Sequence, residues 1–316
     1  MARDRAMLER AVDERRPWLR LHAWPGDVLL LGRHHPSLGA QGAVRRRSGG
    51  RAMPAGAGFV QLTLALPHRS ALESDEPYAL RPEQVLNRAV RGIMGGLETL
   101  GLEPYYPGRD LVTVGSKPIG WISLAVEAGG GTLVEAGIAV GRGFDVLPGL
   151  ADRLDPGGAV PVTLWHADDV TTVAASRPGS APTAGEVALA IVEGYRRRLG
   201  FELAAAQLDE RAGESCVDDL RETPGRPRGR RASQLGAVLA SARIEARGLL
   251  ADVWLGGDVI APAATMEALA RAFEGQPASA PALRVAAEPV LAQPDAFLLG
   301  ATVDDLVAAV LAAVAP

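Results

Sequence analysis

Residues Arg45 to Gln61 read RRRSGGRAMPAGAGFVQ. Two adjacent glycines permit positive φ and a close approach of backbone to a ligand, and the arginines before them supply charge and forked donors suited to phosphate or carboxylate. The stretch reads as an anion-binding loop. On either side of it stand strand signals: DVLLLGR at 27–33 is a continuous apolar run ending in Gly-Arg, and FVQLTLALP at 59–67 is another run of strand formers. Strand and helix signals are mixed along the chain, and the fold class read from them is α+β.

Composition bounds the rest. The chain has 316 residues, 47% hydrophobic and 22% charged, enough for one large core or two domains and unlike a disordered or fibrous chain. Lys+Arg of 33 against Asp+Glu of 37 gives a net charge of -4, which argues against a basic nucleic-acid surface. No apolar run reaches the roughly 18–20 residues that span a bilayer, and MARDRAMLERAVDERRPW at the amino terminus has no hydrophobic signal core. The sequence therefore predicts a cytoplasmic protein with no membrane partner. A single cysteine, Cys216, rules out an intrachain disulfide and a multi-cysteine metal site. His34 and His35 are adjacent, so on a strand they face opposite ways, and no third ligand stands at metal spacing.

Helix periodicity covers 3–15, 82–101 with a glycine stop, and 185–200 with a second glycine stop. Strand alternation covers 18–24 and 132–141, and 110–127 reads as a hairpin. The Pro/Gly/Arg-rich TPGRPRGRRAS at 223–233 marks a linker between a catalytic domain over 1–222 and a small α+β domain over 234–316. In that second domain two strands join at Arg247-Gly248, followed by helices at MEALARAFEG and VDDLVAAVLAAV. Arg226 to Arg231 is read as solvated linker.

Taken in order, these pieces resemble the lipoate-protein ligase A family, related to the biotin ligase catalytic fold. Four stretches carry the resemblance: WLRLHAWPGDVLLLGRHHP; Arg45, Arg46, Arg47, Ser48, Gly49 and Gly50; GRDLVTVGSKPIG; and GLLADVWLGGDVIAPAATMEALARAF. The family has paired arginines, one variable residue and Ser-Gly-Gly, and a Gly-x-Lys-x-x-Gly hairpin whose lysine is catalytic. Lys117 takes that lysine's place. The implied fold is a catalytic domain with a mixed sheet and flanking helices, plus the family's small accessory domain.

The resemblance implies a two-step reaction. The carboxylate of lipoate or octanoate attacks the α-phosphate of ATP, with Mg²⁺ sharing the charge, and a lysine of a carrier domain then captures the acyl-adenylate. The implied carrier is a lipoyl domain such as a 2-oxoacid dehydrogenase E2 subunit or a glycine cleavage H protein-like domain. The implied nucleotide and acyl-adenylate contacts are Arg46, Ser48, Gly49, Gly50, Arg51, Ala52, Asp110, Lys117 and Gly137, and Leu30 and Leu31 are placed near the acyl tunnel. Lys117 is the implied catalytic residue.

The chain departs from the pattern at several points. Where the family continues with aromatic-His-Asp and then Gly-Asn-x-Asn, this chain has Pro54, Ala55, Gly56 and then Gly58, Phe59, Val60, Gln61. The family's third loop glycine is Arg51, Arg109 directly precedes Asp110, and the His-Gly-Thr strand reads Ala136, Gly137, Ile138. Three activities stay open on these residues: an ATP-dependent ligase, an ATP-independent octanoyl or lipoyl transferase, and a ligase-fold scaffold that binds a carrier without activating its substrate. Cysteine transferases of this type carry their cysteine ahead of the lysine hairpin, where this chain has Leu102 to Tyr106. That difference favours the ligase, and SGGRAM follows the lipoate rather than the biotin pattern.

Overall fold

The computed structural model describes residues 2–38, 41–127, 129–177, 179–206 and 227–315. Its contacts divide the chain into two units, one holding the described residues within 1–30, 53–150 and 164–218, the other those within 31–52, 151–163 and 219–316. Cys216 and the first residues of the expected linker, 223–226, lie outside the described residues.

The first unit opens with α1 (Ala2–Glu14), β1 (Trp18–His22) and β2 (Val28–Leu31). The chain passes through β3 (Ala43–Arg45) of the second unit, then returns with β4 (Met53–Ala55), which pairs antiparallel with β2, and β5 (Phe59–Leu66). There follow α2 (Pro82–Thr99), β6 (Pro104–Tyr105), β7 (Leu111–Val114), β8 (Lys117–Val126) and β9 (Thr132–Ala139). Short α3 (Leu147–Leu154) and α4 (Val173–Ser176) lead to α5 (Ala184–Leu199). Six strands form one sheet in the order β1-β5-β9-β8-β7-β6, antiparallel at every pairing rather than mixed as expected from sequence. Every residue of β5 and β9 is buried. Burial of both faces fits the sequence of β5, which is apolar except at the buried Gln61 and Thr63.

Helix α1 covers one end of this sheet through Met7, Leu8 and Ala11, packed on Trp18, Ala65, Ala125 and Leu133. Helices α2 and α5 pack on each other with their glycines at the crossing. A Cβ on Gly194 would stand 2.1 Å from the Gly92 carbonyl oxygen and 2.2 Å from Gly96 N, and one on Gly92 would enter the ring of Tyr195. Glycine here loses helix propensity worth ~1 kcal/mol but lets two backbones touch.

In the second unit, β10 (Gly229–Ala232), β11 (Ala237–Ile244) and β12 (Leu250–Gly257) form a three-stranded antiparallel sheet under α6 (Ala263–Phe273), α7 (Ala280–Leu291) and α8 (Val303–Ala313). Val238, Val253, Leu269, Phe273, Leu283 and Val310 make up much of its core. The turn between β11 and β12 lies where the sequence puts it, with Arg247 and Gly248 both at φ 75°. The arginine-rich segment is structured at its end: β10 is an edge strand whose Arg230 and Arg231 are exposed while Gly229 lies against the α8 backbone. Charged side chains on an edge discourage further strand pairing.

Residues 31–52 are tied to the β12–α6 segment by a buried polar knot. His35 lies fully buried, its Nδ1 accepting from Gly32 N at 3.2 Å, so the ring proton sits on Nε2, which meets Asp258 Oδ1 at 2.9 Å. Asp258 Oδ2 accepts from Ala237 N at 2.8 Å. His34 Nε2–H donates to the Ala261 carbonyl at 2.9 Å, and Gly257 N donates to the His34 carbonyl at 2.9 Å. Burial pushes the His34 pKa down to about 4, the Ala261 hydrogen bond opposing and Arg33 adding to the shift. The two histidines that invite a metal reading are structural donors and acceptors.

Three stability measurements test this packing. Gly194→Ala should lower the urea midpoint by the equivalent of about 1–3 kcal/mol with m unchanged, despite alanine's better helix propensity. Asp258→Asn presents an amide donor where Oδ2 accepts from the Ala237 N–H, and should cost about 1–3 kcal/mol in the same assay. The folded-state pKa of His34 lies below its ordinary 6.5, so the unfolded chain binds more protons between those values. Stability present above pH 6.5 should fall as pH drops from 6.5 toward 4, and His34→Gln should flatten part of that slope.

Candidate functional site

The glycine loop follows directly from the end of β2. Arg46 N donates to the Leu31 carbonyl and Arg33 N to the Ser48 carbonyl, each at 2.9 Å, so the loop runs alongside residues 31–33 like an added strand. Arg46 is 1% exposed, and its guanidinium turns inward: Nε donates to Ser48 Oγ at 3.0 Å and Nη2 to the Gly49 carbonyl at 2.6 Å. A Cβ on Gly49 would stand 2.2 Å from the Val259 carbonyl oxygen, and one on Gly32 would stand 2.1 Å from the Gly50 carbonyl oxygen. Gly50 has φ 81°, and its N–H donates to the Val259 carbonyl at 2.8 Å.

The glycines of the Ser-Gly-Gly stretch answer first to the crossing chain at Val259. Ala52 is buried and Arg51 half-buried, with Arg51 Nη1 donating to Thr163 Oγ1 at 3.1 Å. Arg45 Nη1 donates to the His35 carbonyl at 3.2 Å.

Asp110, Lys117 and Gly137 belong to the first unit. The turn before Lys117 has two residues, Gly115 at φ 54° and Ser116 at φ 68°, with Val114 paired to Lys117 across it. Two positive φ values in succession define the tight hairpin whose twist matches the strands, and they leave Lys117 exposed as the first residue of β8. Asp110 is buried, and its carbonyl accepts from Ile122 N at 2.8 Å, which holds β7 on β8 past the hairpin. Burial raises the Tyr106 phenol above its ordinary range and the Asp110 charge adds to it.

Gly137 lies in a cross-strand row: Leu111 on β7, Trp121 on β8, Gly137 on β9, Gln61 on β5 and His22 on β1 are successive register partners. A Cβ on Gly137 would meet Trp121 Nε1 at 2.3 Å and Gln61 Oε1 at 2.8 Å, so two polar groups converge over the glycine. Gln61 is 4% exposed, and its Nε2 has no hydrogen-bond partner among the described residues. His22 at the end of the row is held neutral, its pKa pushed down to about 4 by burial with Arg20 adding. Gln61 and His22 were not selected by sequence reasoning. Register signals them, since both fall on the same sheet face as Gly137.

A second overlooked signal is compositional. Lys117 is the chain's one lysine; the other 32 of its 33 basic residues are arginine. Arginine serves as well as lysine on a solvated surface. It does not replace a compact ammonium aimed at a single atom.

No family model matches the chain, and no curated protein matches it by sequence. Solved structures do match. P. falciparum LipL1 in complex with lipoate superposes with a TM-score of 0.58 at 10% identity, over 90% of this chain and 90% of that one. Lipoate-protein ligase A bound with ATP gives 0.51 at 17% identity, over 67% of this chain and 84% of that one. A bi-partite lipoate protein ligase from Thermoplasma acidophilum, studied with its E2 lipoyl domain, gives 0.51 at 17% identity over 67% and 82%. The six-stranded antiparallel sheet with its flanking helices and the three-stranded unit beside it in sequence have the fold of the lipoate-protein ligases.

Proposed function

We propose that the chain is a lipoate-protein ligase: it activates lipoate or octanoate with ATP and passes the acyl group to a lysine on a carrier domain. The observation that carries this reading is Lys117, the one lysine in the chain, held exposed by a two-residue hairpin at the position where the family resemblance puts the catalytic amine. In the first step the acid's carboxylate oxygen bonds to the α-phosphorus of ATP and pyrophosphate leaves. Negative charge grows on the α-phosphate oxygens as it departs, and a fixed ammonium there is worth roughly 3–4 kcal/mol. In the second step the carrier's amine attacks the acyl carbonyl and AMP leaves.

Other residues take roles suited to their surroundings. Arg51 and the backbone of Ser48 to Gly50 are assigned to the phosphates, with Arg46 as the strut that shapes the loop. Mg²⁺ keeps several waters and binds through one or two carboxylates plus substrate phosphates, so the buried carboxylate of Asp110 would suit it without a closed ligand cage. The ion would neutralise phosphate charge. The row of Trp121, Gly137 and Gln61 is assigned to the wall facing the acyl-adenylate, where Gln61 Nε2 offers a hydrogen bond in place of the family's asparagine. Solvent exclusion at such a wall protects the adenylate from hydrolysis.

A scaffold without activation is the second reading, and the commitment of Gly50 N–H and Arg46 to internal partners favours it. Pyrophosphate release with ATP, Mg²⁺ and either acid separates the two. The ligase releases pyrophosphate in an acid-dependent manner, and Lys117→Ala lowers the rate about 10²-fold or more. Lys117→Arg should not restore it. The lone lysine also permits a chemical test: reductive methylation of the intact protein, mapped by mass spectrometry, should modify one side chain, and prior ATP plus acid should protect it. Acid-independent release, or full activity in Lys117→Ala, would sink the proposal.

A further inference from the structure

The strand that carries Lys117 is held unevenly along its length. From Gly120 onward β8 pairs with β9, and Gly120 itself stands between Val112 on β7 and Ile138 on β9. The three residues before it lack that support. The β7 ladder steps from Thr113 opposite Pro118 to Val112 opposite Gly120, which leaves Ile119 in a bulge, and the β9 ladder begins only at Gly120. A bulge bends its strand and interrupts the local ladder, so the stem of the Lys117 hairpin would swing about Ile119 if nothing held its other edge.

Residues 170–176 hold it. Beyond its last residue β9 turns away, Val140 N and Gly141 N both donating to the Gly58 carbonyl at 2.8 and 3.1 Å. In the fork that opens, Thr171 N donates to the Pro118 carbonyl at 3.1 Å and Ala174 N to the Val140 carbonyl at 2.9 Å. Proline has no N–H, so the carbonyl is the one backbone hydrogen-bonding group that Pro118 offers, and Thr171 takes it. The wedge is itself anchored. Val170 and Val173 are buried, Thr171 Oγ1 meets Ser176 Oγ at 2.7 Å, and Thr172 Oγ1 accepts from Ala175 N at 3.0 Å. We infer that Thr171 is a positioning residue for Lys117: through the Pro118 carbonyl it fixes the hairpin stem beyond the bulge, and with it the point that the ammonium reaches. This rests on the ligase reading of Lys117.

The test deletes the donor with Thr171→Pro. Val170, at φ −124° and ψ 168°, already has the extended backbone that a residue before proline requires. In acid-dependent pyrophosphate release kcat should fall about tenfold or more with KM unchanged, because a misplaced ammonium is felt where charge develops. Thr171→Val, which keeps the N–H, should restore most of the rate. Combined with Lys117→Ala, the proline should remove no further rate, whereas general damage to the fold would. Amide exchange of the intact protein supplies a readout independent of activity: Thr171→Pro should speed exchange over 115–119 and leave 120–126 unchanged. Should the proline variant fail to fold, Val173→Ala, which loosens the buried anchor, carries the same measurements with smaller changes in the same direction. Unaltered exchange over 115–119, full activity in Thr171→Pro, or a further loss in the double variant would each overturn the positioning role while leaving the ligase reading intact. No acid-dependent release from the unmodified protein would overturn the ligase reading, and the positioning role with it.

Discussion

The carboxylate of Asp258 is the contact on which the second unit depends. Its two oxygens satisfy His35 Nε2 and the Ala237 N–H, joining residues 223 positions apart in sequence and fixing the start of β11 at the same time. A buried carboxylate with one oxygen unpaired would be strongly destabilising, so both contacts must form together or the segment must open. Once they form, the chain crossings beside them leave no room for side chains. A Cβ on Gly236 would stand 2.1 Å from Asp258 Oδ2, one on Gly256 2.1 Å from the His34 carbonyl oxygen, and one on Gly49 2.2 Å from the Val259 carbonyl oxygen. Gly257, at φ 100°, and Gly50, at φ 81°, complete the set.

This geometry changes how the Ser-Gly-Gly stretch is understood. Composition alone cannot distinguish a glycine that admits a phosphate from one that admits another backbone, because both need a missing Cβ. Here Gly49 admits a backbone and Gly50 supplies the positive φ that turns its N–H toward Val259. Arg46, the residue most naturally read as an anion ligand, is more buried than any other arginine described and holds the loop from within.

Much of the fold was legible because its cues are local. The helices 2–14, 82–99 and 184–199 carry their own periodicity, and Gly200 ends the last one in the left-handed conformation that a glycine stop predicts. Helix α7 stands outside the helices read from sequence; of its two prolines, Pro281 sits in the first turn, where no backbone donor is needed, and Pro289 lies in the last turn. The membership of 31–52 in the second unit was illegible for a different reason. It rests on contacts with residues 256–261, and nothing short-range in LGRHHP announces that both histidines will be buried against a glycine-rich turn more than two hundred residues away. Gln61 was discounted as a lost asparagine. Its value appears only when strand register sets it beside Gly137 and Trp121.

The commitment of Gly50 N–H to Val259 does not by itself disable the loop, and magnitudes show why. A neutral backbone hydrogen bond contributes about 0.5–1.5 kcal/mol net, whereas an amide donating to a phosphate oxygen makes a charge-assisted bond roughly twice as strong. A nucleotide that took the Gly50 donor would therefore gain more than the displaced contact supplied, provided the Val259 carbonyl found water. The same exchange at Arg46 would be far more expensive, since a fully buried guanidinium would lose Ser48 Oγ and the Gly49 carbonyl together. On these energies the proposed phosphate contacts fall to the loop backbone and the half-buried Arg51, while Arg46 stays where it is and keeps Ser48 and Gly49 in shape.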